Sequence, residues 1–182
     1  MIKKIRVGNA IKEAKIIRGS NRIPQKSVIV EKIINDVIKF GDNAIIKYTK
    51  KYDNVKIDSI LVDKAELSKA YKEVTTNQLN SLKKSKKLLE KNEKILLERL
   101  TGITLSEDGV RIEKALKPID SVGCYVPGGR ARYPSTLMMC VVPAIIAGVN
   151  RISVVSPPMK DGKIDPVTLV AADICGVDEV YR

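Results

Sequence analysis

The sequence contains no histidine among its 182 residues. Histidine is the usual general base near neutral pH and the commonest nitrogen ligand of zinc and iron. Its absence excludes a Cys–His nucleophilic pair and any metal site built on imidazole within this chain. Chemistry of those kinds would need side chains from elsewhere.

Cysteine is scarce as well. The three cysteines, Cys124, Cys140 and Cys175, are widely separated, lie in apolar surroundings and form no C-x-x-C pair. An odd number of isolated cysteines is not the pattern of a disulfide framework or a metal knuckle. The sequence therefore predicts three reduced thiols in the core.

Long apolar runs are missing. No stretch approaches the roughly 18 uninterrupted apolar residues of a membrane span, and the first seven residues lack the apolar middle of a signal peptide. The composition, 44% hydrophobic and 30% charged, is typical of a globular protein. We expect a cytoplasmic protein with no membrane partner.

Acidic residues are outnumbered, 21 against 33 basic ones, which gives a formal charge of +12. A dense basic stretch contributes Lys83, Lys84, Lys86, Lys87, Lys91 and Lys94. Aromatic residues do not interleave with these lysines, which fall between Leu82, Leu89 and Leu96 and so indicate the solvent face of an amphipathic helix. Nucleic acid is not the expected partner.

The amino-terminal half is predicted to be mainly helical. One helix runs from about Ser27 to a cap at Gly41, and Asp42 caps the next, with Ala44, Ile45 and Tyr48 on its inner face. The first 23 residues are predicted to form an arm whose role the sequence does not reveal.

Further along, the pattern predicts a strand at Ile57–Val62 and then a helix introduced by the capping-box pair Asp63 and Glu66. A long helix is predicted from about Asn77 to Leu100, with a seam at Leu82, Leu89 and Leu96. A hairpin across Glu107-Asp108-Gly109 follows it.

From Asp120 the pattern alternates between strand and helix, as in a parallel sheet with crossover helices. Helices are predicted from Ser135 to Ala147 and after Asp165-Pro166, with a strand at Ile152–Val155 between them. A third strand begins near Asp178, and we expect its uncovered edge to belong to something larger.

The segment Ser121–Gly129 is the most informative part of the sequence. It predicts a buried strand, a Pro-Gly-Gly turn and a helix start at Pro134-Ser135-Thr136. Glycines allow positive φ and close backbone approach, and a helix N-terminus favours an anion such as phosphate. The segment predicts either an anion or nucleotide pocket, or a plain strand-to-helix turn, and it lacks the G-x-G-x-x-G dinucleotide motif.

These residues resemble the amino-terminal part of the histidinol dehydrogenase family, over roughly residue 24 to the end. The resemblance rests on an ordered series of segments: Val37–Ala44 with Tyr48 and Tyr52-Asp53, Pro118–Gly123, Tyr125–Gly129, Tyr133–Met139, Val142–Ala144, Ile146–Gly148, Ser156–Pro158 and Cys175–Val177.

The resemblance implies a cytoplasmic, zinc-dependent homodimer that oxidises L-histidinol to L-histidine through histidinal in two NAD-dependent steps. It implies that Tyr125 contacts NAD, by ring stacking or through its hydroxyl, although core filling is the structural alternative. Pro127, Gly128 and Gly129 are expected to shape the same pocket. Arg130 and Arg132 could meet cofactor phosphates or face water.

The fold implied is α/β: a helical amino-terminal segment followed by an incomplete, doubly wound, Rossmann-like sheet of aldehyde-dehydrogenase-like architecture. The predicted divisions are an arm at 1–23, a helical part at 24–119 and an incomplete NAD-binding domain at 120–182. The family's zinc ligands and its catalytic acid–base pair have no counterpart here, so we expect the chain alone to be inactive. The alternative is a non-catalytic nucleotide- or partner-binding module with a basic surface.

Overall fold

The computed structural model describes residues 28–100, 102–128 and 131–182. The predicted arm at residues 1–23 lies outside these ranges. The chain divides into two compact units, Met1–Ile45 and Ile46–Arg182. The division into three parts at residues 23 and 119 stays a prediction.

The described part of the first unit is helical. Helix α1 spans Val28–Phe40 and ends at Gly41, whose φ of 56° is the left-handed value predicted for a cap. Helix α2, Asp42–Tyr52, begins in this unit, and Ala44 is its buried residue, as the inner-face pattern predicts.

The second unit continues with two helices, α3 at Lys64–Glu73 and α4 at Thr76–Leu100. Asp63 caps α3 by accepting a 2.7 Å hydrogen bond from the backbone N–H of Glu66, which confirms half of the predicted capping box. The Glu66 carboxylate instead pairs with Arg182 at 2.7 Å. The seam predicted along α4 is wrong at its far end, because Leu82 is buried whereas Leu96 is 48% exposed.

The strand predicted at Ile57–Val62 is also wrong. This segment is extended, but its only sheet-like pairing among the described residues is an isolated antiparallel bridge between Leu61 and Tyr181. Backbone hydrogen bonds from Val62 to Val180 and from Arg182 to Ile60 flank that bridge. The segment therefore covers the edge of another strand without forming a ladder of its own.

The hairpin is confirmed. Strands β1, Ile103–Glu107, and β2, Val110–Lys114, pair antiparallel around a two-residue turn. Asp108 and Gly109 both have positive φ, 47° and 78°. Asp-Gly with two positive φ values is the chemistry of a type I′ turn.

A three-stranded parallel sheet follows, in the order β3-β4-β5, formed by Ser121–Tyr125, Arg151–Val155 and Glu179–Tyr181. Helix α5, Pro134–Ala147, connects the first two strands, and helix α6, Pro166–Cys175, connects the last two. The strand–helix alternation predicted from Asp120 onward is confirmed.

The core of the second unit lies between this sheet and a helical layer. Helices α5 and α6 pack side by side, α4 packs on both of them, and α3 packs on α6. Alternate strand residues point into this layer, and Cys124, Ile152 and Val154 are at most 7% exposed. The helices thus bury one face of the sheet.

The prediction of three core thiols holds for two of them. Cys124 and Cys175 are buried, whereas Cys140 is exposed on α5. Burial raises the pKa of the Cys175 thiol to about 11 and also raises the pKa of Cys124. The residues around Cys140 in the sequence are apolar, so the sequence does not show that this cysteine lies on the solvent side of α5.

Candidate functional site

The carboxyl ends of β3 and β4 lie next to each other, because Tyr125 and Val155 are register partners and Val126 N–H donates to the Val155 carbonyl at 2.8 Å. The loops that follow these strands border an open cleft of about 530 Å³. The cleft is lined by Tyr52, Asp53, Val55, Pro127, Gly128, Ala131, Tyr133, Pro157, Pro158 and Lys160.

Gly128 is a point of close contact between the two loops. A Cβ at this position would lie 2.7 Å from Ser156 Oγ and 2.9 Å from the Pro157 carbonyl oxygen. Gly128 is not among the glycines with positive φ. The glycine therefore serves close backbone approach, which is one of the two reasons that the sequence suggested, and not a left-handed turn.

Tyr125 is the last residue of β3 and lies between two buried neighbours, Cys124 and Val126. Its own side chain is 65% exposed on the sheet face that the helices do not cover. The alternative that Tyr125 fills the core is therefore wrong. Tyr125 is not part of the cleft lining, so the structure brings Pro127 and Gly128 together there and leaves Tyr125 beside it.

Two of the remaining motif residues, Gly129 and Arg130, lie outside the described ranges. Arg132 is described, and its Nε lies 2.9 Å from Asp165 Oδ1. The other oxygen of Asp165 accepts hydrogen bonds from the backbone N–H and the hydroxyl of Thr168. Asp165 thus caps α6 and holds the loop that follows β3 through a single buried carboxylate.

The N-terminus of α5 opens beside the cleft. Its cap residue, Tyr133, provides no side-chain hydrogen bond, and Pro134 occupies the first turn. The N–H groups of a first helical turn that no side chain caps are available to an anion, and Lys160 adds a positive charge to the cleft. This geometry suits a phosphate group.

Sequence reasoning missed part of the cleft as a site. Lys160 carried no motif, and Tyr52, Asp53, Pro157 and Pro158 entered only as segments of the family resemblance. Membership in those segments was the one signal that could have marked these four residues. No sequence pattern predicts that residues 52 and 158 line one cleft.

A metal site is not found in the described ranges, where no three side chains of His, Cys, Asp or Glu are grouped as ligands. The whole sequence has no histidine. These residues do not fit zinc. Among the same residues, no helix combines the length and the hydropathy of a membrane-spanning segment.

A parallel sheet with crossover helices defines an α/β protein, and the cleft pinched by Gly128 lies at the carboxyl edge of the sheet, where ligands bind in folds of this class. The sequence profile of one family, histidinol dehydrogenase, matches residues 17–182. The chain belongs to the histidinol dehydrogenase family.

Individual relatives agree. The chain is 38% identical to the histidinol dehydrogenase of Methanocaldococcus jannaschii over 183 aligned positions, covering 100% of this chain and 43% of the relative. It is 43% identical to that of Clostridium acetobutylicum over 153 positions, covering 84% of this chain and 35% of the relative. The chain thus spans less than half the length of these relatives.

The fold has a solved counterpart. The crystal structure of histidinol dehydrogenase from Elizabethkingia anophelis superimposes with a TM-score of 0.76 at 24% identity, covering 99% of this chain and 38% of that one. At this identity the likeness establishes the fold. The predicted α/β architecture of helices followed by an incomplete parallel sheet is confirmed.

Proposed function

We propose that this chain supplies one wall of the NAD site of an enzyme that oxidises L-histidinol to L-histidine through histidinal, in two NAD-dependent steps. Membership of the histidinol dehydrogenase family, over residues 17–182, supports the reaction. The proposed enzyme is a cytoplasmic homodimer.

The observation that carries the proposal is the exposed ring of Tyr125 at the carboxyl end of β3. A tyrosine combines an apolar ring with a hydroxyl that forms hydrogen bonds, and this one stands where ligands bind to parallel sheets. We assign it to NAD, which it would contact by stacking or through its hydroxyl.

The phosphates of NAD would lie in the neighbouring cleft. Pro127 and Gly128 line this cleft, and Gly128 leaves no room for a side chain between its loop and Ser156 and Pro157. We propose that Gly129 belongs to the same pocket. The N-terminus of α5 and Lys160 would supply N–H donors and positive charge. We propose that one dinucleotide occupies the cleft and also contacts Tyr125.

Zinc has no fitting ligands among the described residues, and we propose that it is held by polypeptide outside this chain, as are the groups that move protons. The residues of this chain would bind and orient the cofactor. We propose no chemical step between histidinol and any residue of this chain.

Reconstitution tests this function. The chain would be mixed with a polypeptide that matches the remaining length of the Methanocaldococcus jannaschii relative, and NADH formation from L-histidinol would be followed with and without zinc. We expect activity only when both polypeptides and zinc are present. Failure of two folded, associated polypeptides to form NADH would reject the function and favour the binding-module alternative.

A further inference from the structure

Most of the cleft lining comes from two loops. The β3–α5 loop, residues 126–133, contributes Pro127, Gly128, Ala131 and Tyr133, and the β4–α6 loop, residues 156–165, contributes Pro157, Pro158 and Lys160. The first loop ends at Tyr133, the cap residue of α5, and the second ends at Asp165, the cap residue of α6. The width of the cleft therefore depends on how these two loops are held together.

The β4–α6 loop is anchored by backbone contacts. The Met159 N–H donates to the Lys163 carbonyl at 2.8 Å, and the Gly162 N–H donates to the Met159 carbonyl at 2.9 Å. The Arg182 guanidinium donates to the Gly162 carbonyl at 3.1 Å. A Cβ at Gly162 would lie 2.8 Å from the Lys56 carbonyl oxygen, so this loop also packs closely against an earlier segment. The β4–α6 loop is thus a fixed part of the cleft.

The β3–α5 loop meets this fixed loop near each of its own ends. Near β3 the contact is the close approach of Gly128 described above. Near α5 the contact is the ion pair between Arg132 Nε and Asp165 Oδ1, 2.9 Å apart. Ala131 and Tyr133, the neighbours of Arg132, line the cleft, whereas Arg132 itself does not. Arg132 therefore reaches from one side of the cleft to the residue that ends the other side.

Asp165 is well shielded from water. Its side chain is 11% exposed, its Oδ1 is buried, and its Oδ2 accepts hydrogen bonds from Thr168. The N–H of Arg132 Nε is not aligned with Oδ1, so the contact is an ion pair and not a hydrogen bond. A charge pair with one buried oxygen is screened less than a fully exposed pair. Among the described residues, no other cation pairs with Asp165.

We propose that Arg132 is a positioning residue, whose ion pair with Asp165 joins the two loops and holds the cleft at the width that NAD requires. The inference rests on the function proposed above. In this role Arg132 does not contact the cofactor phosphates, which is one of the two roles that the sequence left open.

Asp165→Asn separates positioning from direct phosphate binding. Asparagine keeps an oxygen that can accept from Thr168 and cap α6, but it removes the charge that attracts Arg132. If the ion pair holds the cleft, this variant should weaken NAD binding to the folded 182-residue chain about fivefold in a calorimetric titration. If Arg132 bound the phosphates directly, releasing it would leave the affinity unchanged or raise it, and that result would overturn the proposal.

Arg132→Gln should weaken binding to the same extent, and Arg132→Lys should recover part of the loss. The double variant R132Q/D165N should lose about fivefold and not about 25-fold, because both changes remove one contact. Losses that multiply would mean that the two residues act independently and would contradict the inference. Arg111→Gln is the matched control, because it removes an exposed arginine that pairs with Glu113 at 3.4 Å on the hairpin, and it should leave the affinity unchanged.

Amide hydrogen exchange without NAD tests the link between the loops separately from the cofactor. Exchange at residues 131–133 should be faster in R132Q and D165N than in the parent and in R111Q, because the loop loses its second attachment. Circular dichroism would check that every variant is folded. A chain that binds no NAD but shows this faster exchange would reject the proposed function and keep the link. Parent-like exchange in both variants would overturn the link, whether or not NAD binds.

Discussion

The two faces of the three-stranded sheet differ in nearly every respect. On the covered face, Val122, Cys124, Ile152, Val154 and Val180 belong to or pack against one apolar core. The other face presents Ser121, Gly123, Tyr125, Arg151, Ser153, Glu179 and Tyr181, and there Arg151 forms an ion pair with Glu179 at 2.8 Å. Strand alternation thus divides the residues of the three strands between a face that packs in the core and a face that the helices leave open.

Adjacent valines on β4 give the sharpest test of this contrast and the largest expected effect. Val154 is fully buried, whereas Val155 is 39% exposed. Val154→Ala should lower the free energy of unfolding by about 2 kcal/mol, because it removes two buried methyl groups and leaves a cavity. Urea denaturation measures the change.

Val155→Ala is the matched control and should change stability by less than about 0.5 kcal/mol. Equal losses for the two variants would mean that both faces of β4 are buried in solution. That result would contradict the exposure of the sheet face that carries Tyr125 and Val155.

Two glycines on either side of Tyr125 provide the second test. Gly128→Ala would press a methyl group against Ser156 Oγ and the Pro157 carbonyl, so we expect a loss of about 1–2 kcal/mol and a displaced loop. Gly123→Ala meets no atom within 4 Å and should be neutral. Thermal unfolding compares them, and a Gly128 variant as stable as the parent would show that the loops are not in close contact.

The third effect appears only at alkaline pH. The pKa of Cys175 is raised by burial from 9.0 to about 11, so the neutral thiol stabilises the folded state fully below pH 9 and this contribution is lost as pH rises from 9 to 11. The stability difference between the parent and Cys175→Ala should shrink over that window by about 2 kcal/mol at most.

A difference that stays constant from pH 8 to pH 11 would contradict a buried neutral thiol. Cys140 offers an internal check, since it is exposed and should react with a thiol reagent in the folded protein well before Cys175 does.

Local signals in the sequence were sufficient for most of the sheet region. Asp165-Pro166 fixed the start of α6, and Gly148 and Gly176 fixed two helix ends, because caps and left-handed glycines depend on a few neighbouring residues. The hairpin followed from Asp108-Gly109 for the same reason. These features were predicted at or near their observed positions.

Features that depend on distant residues were not predictable. Ile57–Val62 has strand-like composition, but its neighbour offers only the short edge of β5. The exposure of Leu96 and Cys140 depends on how far the helical layer extends. Likewise, the contact of Gly128 with Ser156 and Pro157 exists only once two strands are paired, and no local pattern encodes it.

A titration of NAD against the folded 182-residue chain tests the central claim most directly. Tyr125→Ala should weaken binding about tenfold, Tyr125→Phe should show whether the ring or the hydroxyl is used, and Leu88→Ala, an exposed apolar truncation on α4, should have no effect. Unchanged affinity in Tyr125→Ala, in a chain that binds NAD and remains folded, would contradict the assignment of this face to the cofactor.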